Sequence, residues 1–140
     1  MGARALARDC ALMMLFGAEL NEVDAGRMVR DFFPGLATAA DLMTDEESRQ
    51  YGEQITRGVL DDLDAVDEII RTASTFWRVE RMSRTDRNVL RIAVWELQHN
   101  VPRAVALNEA VELAKRFGSE DSGAFVNGVL TRIANDLGAK

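Results

Sequence analysis

Apolar residues recur at intervals of three and four along almost the whole chain, and this spacing limits the fold more than any other feature. A helix places residues three and four apart on one face, whereas a half-buried strand requires apolar residues at every second position. No alternating run longer than a few residues occurs, and only Pro34 and Pro102 interrupt the chain. The pattern therefore predicts an all-α chain built as a helical bundle.

The turn signals divide this pattern into helices over residues 3–20, 22–33, about 45–73, 84–99, 103–117 and 119–137. Pro34-Gly35 ends the second helix, and a capping box over Thr44–Glu47 begins the third. Gly52 and Gly58 lower the helix propensity, so a bend is expected between residues 58 and 62. The predicted core positions include Leu20, Val105, Phe117 and Leu137.

The charged residues are unevenly distributed. The net charge is −6, which by itself argues against a nucleic-acid partner. Residues 9–70, however, hold 15 acidic and 4 basic side chains, whereas residues 71–116 hold 9 basic and 5 acidic ones. Basic character is thus concentrated in the C-terminal half and, through Arg4 and Arg8, at the N-terminal tip. The alternative is an ordinary mixed and solvated surface.

Catalysis is not indicated by the residues. The single histidine, His99, ends a predicted helix, where the helix dipole favours it, and Cys10 lies on an apolar helix face. The acidic run over residues 61–68 lacks the glycine and ligand spacing of a calcium loop. We therefore expect no enzyme, no cofactor and no metal site. With one cysteine and no apolar run long enough for a membrane span, we expect a cytoplasmic protein without membrane contact.

Binding is the more promising direction. Five arginines (Arg78, Arg81, Arg84, Arg87 and Arg91) follow one another along residues 78–91. Arginine suits phosphate, and nucleic-acid surfaces commonly combine it with aromatic side chains for stacking. Phe117 and Phe125 flank a predicted helix start. From the residues alone, core phenylalanines and a solubilising arginine face are the preferred interpretation.

The C-terminal half carries a more specific signal. It contains Thr85-Asp-Arg-Asn-Val-Leu-Arg-Ile-Ala-Val-Trp-Glu-Leu97, Asn108-Glu-Ala-Val-Glu-Leu-Ala-Lys-Arg-Phe-Gly118 and Asp121-Ser, followed by Phe125-Val-Asn-Gly-Val-Leu130. These motifs resemble the NusB family, and the N-terminal Ala3-Arg-Ala-Leu-Ala-Arg-Asp-Cys10 resembles the first helix of that family. The resemblance covers nearly the whole chain and is strongest over residues 84–133.

The resemblance implies a fold and a function. NusB-like proteins are single domains of about seven helices arranged as two sub-bundles, which here would cover about 1–75 and 76–140. They pair with NusE, a small-subunit ribosomal protein, and bind the boxA element of leader RNA in ribosomal RNA operons. The assembly joins other Nus factors on RNA polymerase and suppresses termination. No catalysis or cofactor is involved.

Individual positions carry over from the family as expectations. The RNA-facing candidates are Arg4 and Arg8 of the first helix, with Asp121, Ser122 and Phe125 at the start of the last. The partner-facing candidates are Glu80 and Asp86. We interpret three further signature positions as structural, with the asparagines buried where helices meet: Asn108, Glu109 and Asn127.

The chain also departs from the family, because its first helix carries two arginines instead of a longer basic cluster. We therefore expect RNA binding to require the partner. Three alternatives stay open: a protein–protein adaptor that has lost RNA binding, a homodimer formed through an apolar patch, and a fragment of a ribosomal RNA cytosine methyltransferase. The last is disfavoured if Lys140 ends the natural chain, because no cofactor-binding domain follows.

Overall fold

A computed structural model describes residues 2–21, 24–32 and 45–140 of the chain. These residues form seven α-helices and no strand, so the predicted all-α class is confirmed. The helices are α1 (Ala3–Asn21), α2 (Ala25–Asp31), α3 (Glu46–Asp61), α4 (Leu63–Ala73), α5 (Arg84–Gln98), α6 (Arg103–Phe117) and α7 (Ser122–Asp136). A short 3₁₀ turn, Val79–Arg81, lies in the connector between α4 and α5.

The helix boundaries follow local signals in the sequence. The expected bend is a break at Asp62, which separates α3 from α4. Asp24 accepts a hydrogen bond from the Arg27 amide and begins α2, and Asp45 accepts one from Ser48 at 2.7 Å at the start of α3. The predicted helix end at Pro34-Gly35 and the first residue of the predicted capping box, Thr44, lie outside the described residues.

The chain divides into two compact units, Met1–Asp61 and Asp62–Lys140. The first unit contains α1, α2 and α3, and the second contains α4 to α7. The sequence placed the division near residue 75, after the long helix that it predicted over 45–73. The structural division lies earlier because that helix is broken at Asp62, and α4 packs on α5 and α7.

In the first unit, α1 packs against both α3 and α2. Cys10 and Met14 of α1 form a small core with Val29 and Phe32. The backbones of α1 and α3 approach closely, since a Cβ added at Gly52 would lie 3.3 Å from the Ala7 carbonyl oxygen. This contact explains the glycine within α3 in spite of its cost to helix propensity.

In the second unit, α5 is the central helix and packs against α4, α6 and α7. Every residue from Asn88 to Leu97 is buried. Arg91 of α5 holds α4 through both oxygens of Asp67, each 2.8 Å from a guanidinium nitrogen, and also donates to Asn88. A bidentate pair of this kind fixes the two helices in one geometry. Ser83 caps α5 by accepting from the Asp86 amide.

Some core predictions are wrong. Leu20, Val105, Phe117 and Leu137 are at least 40% exposed, because they lie at helix ends or on faces that no described neighbour covers. The family-signature asparagines, Asn108 and Asn127, are also exposed, and our interpretation of them as buried is wrong.

Candidate functional site

The first unit holds two of the predicted RNA-facing residues. Arg4 and Arg8 are one helical turn apart on α1, and both guanidinium groups lie over the ring of Tyr51 on α3, at 3.9 and 5.9 Å from its centroid. Arg4 is exposed, whereas Arg8 is only 5% exposed. Burial leaves little of the Arg8 side chain accessible to a ligand. Arg4 is thus the arginine that can meet a ligand directly.

The second unit holds a cleft of about 570 Å³, which we call the connector cleft. Its walls come from the connector, the start of α5, the turn after α6 and the first turn of α7. The lining residues are Trp77, Arg81, Met82, Ser83, Asp86, Ser119, Asp121, Ser122, Ala124 and Phe125. Three predicted RNA-facing residues therefore line one cleft together with Asp86, which the sequence assigned to the partner.

Those residues play different parts in the connector cleft. Asp121 is exposed and caps α7 without a side-chain hydrogen bond, so its carboxylate is free to accept one from a ligand. Ser122 is only 1% exposed, and its hydroxyl oxygen accepts from the Ser119 amide at 2.9 Å. Ser122 is therefore suited to shaping the turn between α6 and α7. Phe125 is half-buried, so part of its ring is accessible from the connector cleft.

Gly118 allows this turn to close. A Cβ at Gly118 would collide with the Ser122 side chain and with the Ala114 carbonyl oxygen. The Gly118 amide donates to that same carbonyl at 2.8 Å and ends α6. Because Gly118 has no side chain, the end of α6 and the start of α7 can come together at the wall of the connector cleft.

An aromatic pair in the second unit was missed by the sequence reasoning. Trp77 and Phe125 meet edge to face, with ring centroids 5.9 Å apart and planes at 82°. Trp77 is 62% exposed and its neighbour Phe76 is 92% exposed. The sequence offered one signal for this pair, because two aromatic residues lie in a connector that is rich in arginine. It could not show that Phe125 of α7 approaches Trp77, because that contact depends on tertiary structure.

A second cleft of about 320 Å³, the α7 cleft, shares Trp77, Ala124 and Phe125 with the first. Its remaining lining residues are Ala73, Ser74, Thr75, Phe76, Gly128, Val129 and Arg132. Arg132 donates to Thr75 at 3.2 Å and approaches Asp136 at 3.9 Å. The aromatic pair therefore stands between two clefts, each of which contains one arginine.

The two predicted partner-facing residues have different surroundings. The Glu80 carboxylate accepts from Arg71 at 2.8 Å, and this hydrogen bond holds the pKa of Glu80 below its usual value. Asp86 lies in the first turn of α5, and its Oδ1 is buried without a hydrogen-bond partner among the described residues. Glu80 is thus an occupied acceptor and Asp86 an unsatisfied one.

Within the described ranges, no group of three or more histidine, cysteine, aspartate or glutamate side chains is placed to hold a metal ion. Among the helices that the structure describes, none is long and apolar enough to cross a membrane.

A helical fold whose clefts are lined by aromatic, arginine and carboxylate side chains defines a small all-helical binding protein. The sequence profile of the NusB family matches residues 5–135. The transcription antitermination protein NusB of Sorangium cellulosum is 56% identical, covering 99% of this chain and 96% of that protein. The NusB of Myxococcus xanthus is 39% identical, covering 96% of both chains.

Solved structures agree with this assignment. T. maritima NusB is 32% identical with a TM-score of 0.79, covering 97% of this chain and 92% of that one. A crystal structure of the antitermination factors NusB and NusE in complex with dsRNA matches at 25% identity and a TM-score of 0.82, covering 97% and 98%. The chain belongs to the NusB family and is a transcription antitermination factor, not an enzyme.

Proposed function

We propose that the protein binds boxA-type leader RNA of ribosomal RNA operons as a complex with NusE, on RNA polymerase and with other Nus factors. The observation that carries the proposal is the connector cleft, where Asp121 and Phe125 lie beside an exposed tryptophan and Arg81. Aromatic rings stack on bases, arginine neutralises phosphate, and a carboxylate accepts from base or ribose donors. The relative solved with NusE and RNA supports the same combination of partners.

Arg4 is the candidate for a phosphate contact in the first unit. It is exposed, and its stacking on Tyr51 holds the guanidinium group at 3.9 Å from the ring centroid. A guanidinium group that is already ordered loses less conformational entropy when it binds phosphate. Arg8 supports this arrangement from a buried position on the same ring.

Asp86 and Glu80 are the candidates for NusE. A cationic side chain of the partner would satisfy the buried Oδ1 of Asp86, after a small movement of its surroundings. Glu80 is exposed and already paired with Arg71, so a partner cation there would have to share or replace that pair. Asp86 is therefore expected to contribute more to partner affinity than Glu80.

RNA binding by the isolated chain is expected to be weak, because its net charge is −6 and α1 carries only two arginines, of which Arg8 is buried. The partner would supply additional positive surface. We place the complex in the cytoplasm, and we treat both units, with the whole of residues 1–140, as one functional domain.

A gel-shift titration tests the proposal. It compares boxA RNA with a base-scrambled control, with and without NusE, at two salt concentrations. We expect sequence-dependent, salt-sensitive binding that is much tighter with NusE than without it. Equal binding of both RNAs by the complex would contradict RNA recognition and favour the alternative, a protein–protein adaptor that keeps the fold. Boundary sedimentation of the free chain in the same buffer separates monomer from homodimer.

A further inference from the structure

The family-derived expectations give Phe125 a role in RNA binding but give none to Trp77, the ring that Phe125 meets. The edge of one ring meets the face of the other at 5.9 Å and 82°, which leaves most of the Trp77 indole uncovered. An exposed indole of this size is costly to hydrate unless a ligand covers it. The Trp77 amide donates a hydrogen bond to the Ser74 carbonyl at 3.3 Å, and this bond fixes the backbone that carries the indole.

The two clefts beside this pair have the composition of sites for single nucleotides. Each is bounded by the same two rings, and each includes one arginine, Arg81 in the connector cleft and Arg132 in the α7 cleft. Arg81 forms no side-chain hydrogen bond or ion pair within the part of the chain that the structure describes, so its guanidinium group can bind phosphate without losing another partner. The volumes, about 570 and 320 Å³, accommodate a base.

Open space continues along α7. A Cβ added at Gly128 would meet no atom within 4 Å, so the α7 cleft is not closed by a side chain at that position. In the connector cleft, Asp121 supplies a carboxylate acceptor near the rings. Carboxylates repel phosphate, so this cleft favours a base that donates hydrogen bonds, with its phosphate directed toward Arg81.

We propose that Trp77 and Phe125 form an aromatic partition that separates two consecutive unpaired nucleotides of the RNA, one base stacking in each cleft. The inference rests on the proposed RNA-binding function and adds Trp77 as a base-stacking residue, with Arg81 and Arg132 as the phosphate contacts of the two sites. Stacking on an aromatic ring tolerates every base, so the partition contributes affinity and strand register more than sequence choice.

The test measures RNA affinity for the full chain in complex with NusE, using fluorescein-labelled boxA RNA in anisotropy titrations at several salt concentrations. Trp77→Leu keeps an apolar side chain but removes the ring, and we expect it to weaken RNA binding roughly 5- to 100-fold. The slope of affinity against salt should not change, because an indole neutralises no phosphate. Arg81→Gln should reduce that slope by about one unit.

Phe117→Leu is the matched control, since Phe117 is an exposed aromatic residue of the same unit that lines neither cleft. We expect its RNA affinity to stay within about twofold of the unmodified protein. Thermal unfolding and NusE affinity are measured for each variant. Trp77 is largely exposed, so its substitution should leave both unchanged.

Single abasic substitutions along the RNA locate the two sites. With an RNA that lacks a base that stacks on the partition, Trp77→Leu should no longer weaken binding. We expect this coupling at two adjacent positions of the RNA. Coupling at no position, or at only one, overturns the partition. Loss of NusE affinity in Trp77→Leu also overturns it, because the ring would then belong to the protein interface. If the unmodified complex fails to distinguish boxA from scrambled RNA, the proposed function itself fails.

Discussion

At the scale of single residues, similar side chains have different surroundings. Arg4 and Arg8 share one ring, yet one is exposed and the other is 5% exposed. Glu80 is paired with Arg71, whereas Asp86 has a buried oxygen without a partner among the described residues. Sequence motifs identify such positions, but burial decides whether a substitution affects stability, binding or both.

The two arginines of α1 should therefore respond differently to neutralisation. Arg8→Gln leaves buried contacts unmade and should lower the free energy of unfolding by about 1–3 kcal/mol. Arg4→Gln should change stability by less than about 0.5 kcal/mol but weaken RNA binding by the complex. Urea denaturation and anisotropy titrations measure the two effects. Arg27→Gln on the exposed part of α2 is the control, and equal destabilisation by all three would contradict the prediction.

The Glu80 pair predicts a pH dependence. The pKa of Glu80 is below its usual value because Arg71 donates to the carboxylate, so the pair is fully formed above the ordinary glutamate pKa. Its contribution is lost as the pH falls through the lowered pKa. Arg71→Gln should raise the pKa of Glu80 toward its usual value in a carboxyl NMR titration. Arg103→Gln removes an arginine that donates to Asn135 instead, and it should leave the Glu80 titration unchanged.

At the scale of helices, two junctions position the candidate site. The Asp67–Arg91 pair joins α4 and α5, the helices on either side of the connector, and the turn at Gly118 brings α6 to α7. Asp67, Arg91 and Gly118 line neither cleft. Substitutions there should act on the clefts only through the positions of the helices that line them.

Removing one member of the Asp67–Arg91 pair should be costly, because both side chains are mostly buried. Asp67→Ala leaves the Arg91 charge without its carboxylate and should lower the free energy of unfolding by about 3 kcal/mol. Asp64→Ala on the exposed face of the same helix is the control. Chemical denaturation followed by circular dichroism measures both variants, and similar stabilities would show that the pair contributes little.

Two glycines of the second unit should give effects of opposite sign. Gly118→Ala places a Cβ against Ser122 and the Ala114 carbonyl, so it should destabilise the protein by about 1–3 kcal/mol and weaken RNA binding. Gly128→Ala adds a methyl group in open space within α7 and should stabilise it by about 0.5–1 kcal/mol. Thermal unfolding of the two variants tests the prediction, which fails if Gly118→Ala is tolerated.

At the scale of the whole molecule, an acidic chain is proposed to bind a polyanion. The net charge of −6 slows the approach of RNA, and this long-range effect is screened as the salt concentration rises. Asp61 and Asp62 are exposed at the junction of α3 and α4 and line neither cleft. Their charges can therefore be removed without altering the proposed contacts.

Neutralising Asp61 and Asp62 should change the rate at which RNA associates more than it changes the contacts of the bound RNA. Asp61→Asn combined with Asp62→Asn should raise the association rate of the NusE complex with RNA by about twofold at low salt, with little effect at about 1 M salt. The dissociation rate should be nearly constant. Stopped-flow measurements at several salt concentrations provide the test, and an equal change at every salt concentration would point to a direct contact instead.

The sequence by itself determined the all-α class, most helix boundaries and the family, because these depend on apolar spacing, capping residues and motifs that are local in the chain. It also indicated the break near Asp62. It could not determine that Arg8 is buried on Tyr51, nor that Trp77 meets Phe125 across the connector. Those pairs join residues more than 40 positions apart, so only the packing of helices in three dimensions decides which side chains are covered and which form a cleft.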